Sequence, residues 1–378
     1  MIYLDGAATT PVRREVLEAM WPYLTGEFGN PSSHNALGFS AATALTDARR
    51  AVADFLGCKP SEVAFTSGGT EADNLAIKGI ALGNPRGRHL VISAIEHEAV
   101  RESADYLERL HGFDVTVVPV DSLGLVSPDA LRAALRPDTT LVSIMYANNE
   151  IGTVQPIAEL AAIAHAVGVP FHTDAVQAAG WLRLAVGDLG VDALSLSGHK
   201  LGAPKGVGAL FVRGRVPLEP LVHGGGQERG IRSGTENVAG AVGLAAAVRL
   251  ADSSRGERVA LLRDALIAGV LGTVPDAVLT GHPSARLPGH ASFCFPGTSG
   301  ESVLLELEER GIVSSSGSAC AAGSDEPSHV LLALGIAPEI AQTAVRFTFG
   351  AEVSESDVSE SIGAVREAVA AVRGLASR

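Results

Sequence analysis

Cysteine is scarce in this sequence of 378 residues, which contains only Cys58, Cys294 and Cys320 and no Cys-x-x-Cys pair. An odd number of widely separated cysteines indicates neither a framework of disulfides nor a zinc site built from paired thiolates. We therefore expect a protein of a reducing compartment, in which a free thiol persists. The cytoplasm is the predicted location.

Long apolar runs and basic charge are lacking as well. No stretch reaches the roughly 18 uninterrupted apolar residues of a membrane helix, and the opening MIYLDGAATTP has neither region of a signal peptide. Lys and Arg number 29 against 42 Asp and Glu, which gives a net charge of −13. Because phosphate backbones attract basic surfaces, we expect no direct binding of nucleic acid and no binding to membranes.

The content of 46% hydrophobic and 19% charged residues is typical of a globular protein with a large core. Between about residues 60 and 215, short β-rich runs alternate with helical stretches, and most of the runs are continuously apolar, as in strands covered on both faces. We predict the α/β class, with a mainly parallel, seven-stranded sheet flanked by helices. The predicted strands are 63–67, 89–93, 115–120, 141–146, 169–174, 193–197 and 208–213.

The pattern changes after about residue 250. Helices are predicted at 251–271, 300–310 and 354–375, around a stretch at 281–300 that is rich in Gly and Pro. We interpret this part as a smaller α+β domain. The predicted division is a large domain of residues 14–250 and a small domain of residues 1–13 and 251–378.

Ligands of open α/β sheets collect at the carboxyl ends of the strands, and the segment SGGTEADN at 67–74 lies at such a position. Small residues that open a helix suit a phosphate group, although a turn of this kind is as often only a tight turn. The segment is neither a G-x-x-x-x-G-K-[ST] loop nor a G-x-G-x-x-G fingerprint. A nucleotide-binding Rossmann protein is therefore disfavoured.

Two further strand ends carry reactive groups. Asp174 in HTDAVQ either caps the next helix or holds a pyridinium nitrogen, with Gln177 close enough to reach a ring oxygen. Lys200 in SGHK is either a surface charge or, in an apolar setting, an amine with a lowered pKa that forms a Schiff base. Ser197 and His199 flank it and are able to donate hydrogen bonds to a phosphate.

Cys320 lies in a loop of Ser, Gly and Ala at 314–327, ahead of a helix predicted to begin near Pro327. A free cysteine is usually a small buried hydrophobe, and this is our interpretation of Cys58 and Cys294. An exposed thiol on a loop is suited to travel to a substrate.

Ten segments of the chain, in order and at appropriate spacings, resemble the cysteine desulfurases of the NifS/IscS type. The resemblance covers nearly the whole chain and implies fold type I of the pyridoxal-phosphate enzymes, in the class V aminotransferase superfamily. The segments are DGAATTP (5–11), FGNPSSH (28–34), TSGGTEADN (66–74), EHEAV (96–100), NNEIGTVQPI (148–157), HTDAVQ (172–177), SGHKLGAPKGVGAL (197–210), GGGQERGIRSGTEN (224–237), SSGSAC (315–320) and EPSHVLLALG (326–335).

The resemblance implies a role for each matching residue around pyridoxal 5'-phosphate. Lys200 would attach the cofactor covalently, Asp174 would pair with the pyridine nitrogen and Gln177 with the ring oxygen. His97 would stack on the ring face, and Asn149 would contact its edge. The implied phosphate-binding residues are Gly69, Thr70, Ser197 and His199, together with Thr235 from the partner subunit of a homodimer.

The resemblance also implies the reaction. Arg346, assisted by Asn30, would bind the carboxylate of L-cysteine through its planar fork. Cys320 would take the sulfur as a persulfide and leave L-alanine, with Lys200 and His97 as further catalytic residues. The sulfur would pass to an acceptor or scaffold protein, for iron–sulfur cluster assembly or for thiolation of tRNA or DNA. No resident metal is implied, although Cys320 is a candidate ligand of a transferred cluster.

Two details separate this sequence from some of the family. Position 69 is Gly where many relatives carry Ala, and we expect a slightly looser turn there. The stretch around Cys320 resembles the group with a long catalytic loop, not the group with a short loop and an R-x-G-x-H-C pattern.

Other functions share parts of this pattern. An ordinary aminotransferase or a selenocysteine lyase would use the same cofactor residues, and neither strictly needs Cys320. A sulfur-relay or scaffold protein without catalytic activity would show a degraded Lys200 or Asp174, but both residues are present.

Overall fold

The computed structural model describes residues 1–83, 86–316 and 326–376, so Cys320 lies outside the described residues. The strands are β1 (Ile2–Tyr3), β2 (Val63–Thr66), β3 (His89–Ser93), β4 (Asp114–Val118), β5 (Thr139–Ser143), β6 (Phe171–Asp174), β7 (Ala193–Ser197), β8 (Gly208–Val212), β9 (Val278–Leu279), β10 (His290–Cys294), β11 (Ile312–Val313) and β12 (Ala344–Thr348).

The helices alternate with these strands through the first two thirds of the chain. They are α1 (Arg14–Leu24), α2 (Ala36–Leu56), α3 (Gly69–Gly83), α4 (Glu98–His111), α5 (Pro128–Ala134), α6 (Ile157–Ala166), α7 (Val186–Leu189), α8 (Val238–Arg249), α9 (Arg255–Thr273), α10 (Gly300–Glu309), α11 (His329–Ala333), α12 (Pro338–Ala341) and α13 (Glu355–Ala376).

The predicted seven-stranded sheet is confirmed, with the order β2-β8-β7-β6-β5-β3-β4. Strand β8 pairs antiparallel with both β2 and β7, whereas the other pairs are parallel. In β3, β5 and β7 every residue is buried. The continuous apolar runs therefore reflect strands that are covered on both faces.

Helices cover the two faces of this sheet, as predicted. On β3, Val91 belongs to one apolar cluster, which includes α2, α6 and α8. Its neighbours Leu90 and Ile92 belong to a second cluster, which includes α3 and α4. Because successive side chains of a strand point to opposite faces, these two clusters are the two helix–sheet interfaces of the α/β fold.

A second sheet of three strands has the order β12-β10-β9. Phe293 and Phe347 lie in its core with side chains of α9, α10 and α13. The stretch rich in Gly and Pro thus contains strand β10. The predicted helices are confirmed with shifted bounds, and α11 begins at His329 because Ser328 caps it.

The first residues of the chain pair with this C-terminal part. Strand β1 pairs in parallel with β11, the Leu4 N–H donates to the Val313 carbonyl at 2.7 Å and the Gly6 N–H donates to the Thr348 carbonyl at 3.0 Å. These pairings support the division into 14–250 and 1–13 with 251–378, which remains our proposal.

Across the described ranges, every helix is too short or too polar to cross a membrane.

Candidate active site

Lys200 lies in a 3-10 turn that follows β7 directly (Gly198–Lys200). Its Nζ donates hydrogen bonds to the carbonyls of Ala7 and Ala8, the latter at 2.7 Å. The side-chain amide of Gln177 donates to the same Ala7 carbonyl at 3.0 Å. The structure therefore brings Lys200 and Gln177 together against the N-terminal segment.

Asp174 ends β6 and is 5% exposed. Its Oδ1 accepts a hydrogen bond from the Val176 N–H at 2.8 Å. The residues that follow form turns and the next helix, α7, begins at Val186, so Asp174 does not cap a helix. Burial raises the pKa of Asp174, whereas His97 and Lys200 act in the opposite direction. A buried carboxyl group whose charged form is favoured by His97 and Lys200 is suited to hold a positively charged ring nitrogen.

A second buried carboxyl group lies behind Asp174. Asp73, on α3, is 1% exposed, and both burial and the charge of Asp174 raise its pKa well above the usual value. His172 Nε2 lies 3.7 Å from Asp73 Oδ1, and burial lowers the pKa of this histidine to about 3. Because neighbouring buried carboxyl groups do not both ionise cheaply, a charge on Asp174, whose charged form Lys200 favours, works against a second charge on Asp73.

His97 is the N-cap of α4, and its Nδ1 accepts a hydrogen bond from the Ala99 N–H at 3.0 Å. An accepting Nδ1 places the proton of the neutral ring on Nε2. Next to it, Glu96 is fully buried and accepts from Ser93 Oγ at 2.5 Å and the Met145 N–H at 2.8 Å. Burial raises the pKa of Glu96 to about 8.

The N-terminus of α3 lies against Ser197. A Cβ at position 69 would lie 2.8 Å from Val176 Cγ2 and 3.4 Å from Ser197 Cβ, so glycine at 69 fits this valine closely. The sequence predicted a slightly looser turn at Gly69, whereas the structure shows Gly69 in close contact with Val176. His199 Nδ1 lies 3.1 Å from Thr9 Oγ1, and burial together with Lys200 lowers the pKa of this ring to about 4.

Arg346, on β12, is 2% exposed and already has two partners. Its Nη2 lies 2.8 Å from Asp5 Oδ1, and its Nη1 donates to the Asn149 carbonyl at 2.9 Å. Its Nε–H is buried and has no hydrogen-bond partner among the described residues. The main chain of Arg346 also exchanges two hydrogen bonds with Ser315, at 2.7 and 3.2 Å.

Three predicted site residues have exposed side chains, namely Asn30, Thr235 and, at the start of α3, Thr70. Asn30 Oδ1 accepts a hydrogen bond from Ser32 N–H within its own loop, at 2.9 Å.

Cys58 and Cys294 are the two cysteines of the described chain, and both are unsuited to nucleophilic chemistry. Cys58 follows the Gly57 cap of α2 and is partly buried, and Cys294 ends β10 and is fully buried. Burial raises the pKa of Cys58 to about 12 and that of Cys294 to about 11. Since the thiolate is the nucleophile, these two groups stay inert, and the core interpretation holds fully for Cys294.

Several residues of this region were not singled out from the sequence. Asp5 binds Arg346, and Ser328 Oγ donates to Glu150 Oε2 at 2.5 Å. Burial raises the pKa of Glu150 to about 7. Ser328 and Glu150 both lie in segments that resemble the family. Because 178 positions separate them, no local sequence pattern predicts their contact.

In the part of the chain that the structure describes, no group of three or more His, Cys, Asp or Glu side chains is placed to hold a metal ion.

Comparison with known proteins gives a consistent result. The family model described as Aminotransferase class-V matches residues 2–360. "Cysteine desulfurase IscS" of Methanosarcina thermophila is 50% identical over 99% of this chain and 93% of its own length. A solved "NIFS-LIKE PROTEIN" is 38% identical with a TM-score of 0.90, over 97% of this chain and 98% of that one. A structure titled "SspA in complex with cysteine" is 38% identical with a TM-score of 0.82, over 92% and 99%.

Proposed function

Because the chain belongs to the class-V aminotransferase family, and within it to the cysteine desulfurases of the NifS/IscS type, we propose that it takes the sulfur from free L-cysteine onto Cys320 with the help of pyridoxal 5'-phosphate. L-Alanine is the second product. The observation that carries the proposal is the grouping of Lys200, Gln177 and the buried Asp174 at one edge of the sheet.

The residues present fit this cofactor. Asp174 offers a buried carboxyl group for the ring nitrogen, Gln177 an amide for the ring oxygen and His97 an imidazole for the ring face. The carbonyl of Asn149 accepts a hydrogen bond from Arg346, the proposed ligand of the substrate carboxylate, which supports a contact of Asn149 with the edge of the ring. The N-terminal N–H groups of α3, with Gly69 packed against Ser197, are a suitable site for a phosphate.

The remaining phosphate ligands in the proposal are Thr70, His199 and, from the partner subunit's loop, Thr235. The neutral ring of His199 is able to donate one hydrogen bond to a phosphate oxygen.

The proposal gives each of these site residues a task in the reaction. When bound, the cofactor supplies an electron sink for the electron pair left at the substrate Cα. Arg346, with Asn30, binds the substrate carboxylate. The amine of Lys200 takes the Cα proton and holds it for return, and Asp174 maintains the negative charge that stabilises a protonated ring.

Sulfur transfer completes the turnover. The Cys320 thiolate forms a bond to the substrate sulfur while the bond between Cβ and that sulfur breaks. Cβ takes up a proton, which gives alanine, and Cys320 keeps the sulfur as a persulfide. The main chain of Ser315 is bonded to Arg346, and Cys320 follows five residues later. At up to about 3.6 Å per residue, the chain limits the Cα of residue 320 to within about 18 Å of the Ser315 Cα.

A second copy of the chain is the proposed partner of an exposed apolar surface on α1, the loop that follows it and the start of α2. Leu17, Trp21 and Leu24 are spaced to lie on one side of α1, and Phe28 and Phe39 are exposed nearby in sequence, by 68% and 76%. Exposed aromatic and aliphatic groups of this size mark interaction surfaces. A homodimer would also supply Thr235 to the neighbouring site.

We further propose the cytoplasm as the location and a protein of iron–sulfur cluster assembly as the sulfur acceptor. The acceptor rests on the resemblance alone. A pull-down with the persulfide-loaded protein identifies it directly.

The central test is a Cys320→Ala variant supplied with pyridoxal 5'-phosphate and L-cysteine. It should keep the visible absorbance of the cofactor and still bind cysteine, but release no alanine. Normal alanine output would refute the assignment of Cys320. Assays with selenocysteine and 2-oxo acids separate a desulfurase from a selenocysteine lyase and from an aminotransferase.

A further inference from the structure

The dipeptide Ser328–His329 contacts the residues next to both predicted ring-contacting residues. Ser328 binds the side chain of Glu150, the neighbour of Asn149, and His329 binds the main chain of Glu96, the neighbour of His97. These contacts join parts of the chain that lie 178 and 233 positions apart. The dipeptide begins eight residues after Cys320.

The Ser328 hydroxyl has two tasks. It donates to Glu150 Oε2 at 2.5 Å, and it accepts from the N–H groups of Val330 and Leu331 at 3.1 and 3.3 Å. The acceptor bonds cap α11 and need only a serine, as at Ser299, which caps α10 by accepting from the Ser302 N–H. The bond to Glu150 adds nothing to the cap, but it ties the start of α11 to the carboxyl edge of the large sheet.

His329 makes the second connection. A carbonyl oxygen only accepts, so its Nε2–H donates to the Glu96 carbonyl, at 3.1 Å. On the other side of His97, the Glu98 carboxylate lies 3.4 Å from His329 Nδ1 and also binds Arg101 at 2.9 Å. The ring of His329 therefore spans the main chain on which His97 is carried.

We propose that Ser328 and His329 are positioning residues, which hold the chain leading back to Cys320 against the neighbours of His97 and Asn149 so that the thiol meets the substrate sulfur. This inference rests on the proposed function. On the other side of Cys320, Ser315 is bonded to the main chain of Arg346. Both ends of the intervening chain are thus attached to the site itself.

The physical reason is the effective concentration of the thiol. A tether whose two ends are fixed near the reacting atoms keeps the nucleophile within a small volume, and a longer or looser tether lowers that concentration. Loss of an attachment should slow the step that uses Cys320. Steps that use only the cofactor and Lys200 should continue.

Two rates separate these effects. Persulfide formation on Cys320, followed in a single turnover by quenching and mass spectrometry, reports the thiol step. Exchange of the Cα hydrogen of L-alanine with deuterated solvent, followed by NMR, reports the cofactor and Lys200 alone because alanine has no sulfur. For Ser328→Ala and His329→Ala we expect persulfide formation to fall by about tenfold or more while exchange stays within about twofold of wild type.

The matched control for a lost cap is Ser299→Ala, which should change neither rate. Glu150→Gln keeps an acceptor oxygen for Ser328 and should retain persulfide formation, whereas Glu150→Ala should lose it. The two Glu150 variants also test the proposal if a variant at position 328 or 329 folds poorly. Persulfide formation within about twofold of wild type in Ser328→Ala and Glu150→Ala, or an equal fall of both rates, would overturn the proposal.

A failure of the proposed function gives a different result. In that case wild-type protein forms no persulfide on Cys320, or Cys320→Ala still releases alanine, whatever residues 328 and 329 are.

Discussion

Arg346 Nη2 lies 2.8 Å from Asp5 Oδ1, and this ion pair joins residues that are 341 positions apart in the chain. Asp5 thereby neutralises the guanidinium that we propose for the substrate carboxylate. The buried Nε–H of the same group has no partner among the described residues. A substrate carboxylate would therefore share Arg346 with Asp5 and not replace it.

Replacing Asp5 by Asn should strengthen the binding of L-cysteine. The amide oxygen still accepts from Arg346, but the competing negative charge is gone, so KM should fall by about three- to tenfold. Steady-state kinetics on the cofactor-loaded protein measure this. Arg346→Lys is the comparison, because a lysine lacks the planar fork and should raise KM by about tenfold or more. A rise of KM in Asp5→Asn would show that its carboxylate orients Arg346.

Replacing Lys200 by Ala should abolish covalent attachment of the cofactor. Asp174, Gln177 and the start of α3 are unchanged in this variant, so non-covalent binding should persist at a lower affinity. Reduction with borohydride followed by peptide mass spectrometry should find a cofactor adduct at residue 200 in wild type and none in the variant. An adduct on Lys205 in the wild type would move the assignment to that residue.

Breaking the ion pair of Arg49 and Glu228 should be strongly destabilising. Arg49 Nη1 and Nη2 lie 2.6 and 2.7 Å from the two oxygens of Glu228, and both side chains are almost fully buried. Arg49→Ala leaves a buried carboxylate, which costs about 3–5 kcal/mol of unfolding free energy. Arg50→Ala, which breaks an exposed pair with Asp47, should cost less than about 1 kcal/mol. Similar denaturant midpoints for the two variants would contradict this.

Glu96→Gln should change how stability depends on pH. Burial raises the pKa of Glu96 from 4.5 to about 8, so the folded wild type keeps a proton that the unfolded chain releases. Its unfolding free energy should fall relative to the Gln variant as the pH rises from 4.5 to 8, by up to about 5 kcal/mol. Urea unfolding at pH 5, 6.5 and 8 tests this, and parallel curves for both proteins would exclude it.

A charge on the exposed apolar surface of α1 should disrupt the proposed dimer. Trp21 is 67% exposed, and Trp21→Arg should shift the protein to monomers in analytical ultracentrifugation because an interface core excludes unpaired charge. Leu261→Arg, at a residue of α9 that is 72% exposed, is the control and should leave the association unchanged. If both variants sediment as wild type does, the interface lies elsewhere.

The sequence predicts local elements well and long-range pairs poorly, for physical reasons. All seven strands of the large sheet are found, because most of them are apolar runs typical of strands covered on both faces, although the edge strand β4 has exposed residues. The reversed direction of β8 was not predicted. Only residues 198–207 connect it to β7, too few for a parallel crossover through a helix.

The site shows the same contrast. The grouping of Lys200, Gln177 and Asp174 follows from strand ends that share one edge of a sheet. The contacts of Asp5 with Arg346 and of Glu150 with Ser328 do not follow from the sequence. Ion pairs and hydrogen bonds between distant segments leave no periodic pattern in it.

Residues 2 to 8 make several contacts with distant parts of the chain, including the proposed site. Residues 2 and 3 form an edge strand with β11, residue 5 binds the guanidinium of Arg346, and the carbonyls of residues 7 and 8 accept from Lys200. Trimming the first eight residues, or fusing a bulky domain directly before Ile2, would disturb two reactive side chains at once. Affinity tags are therefore better separated from this end by a flexible spacer.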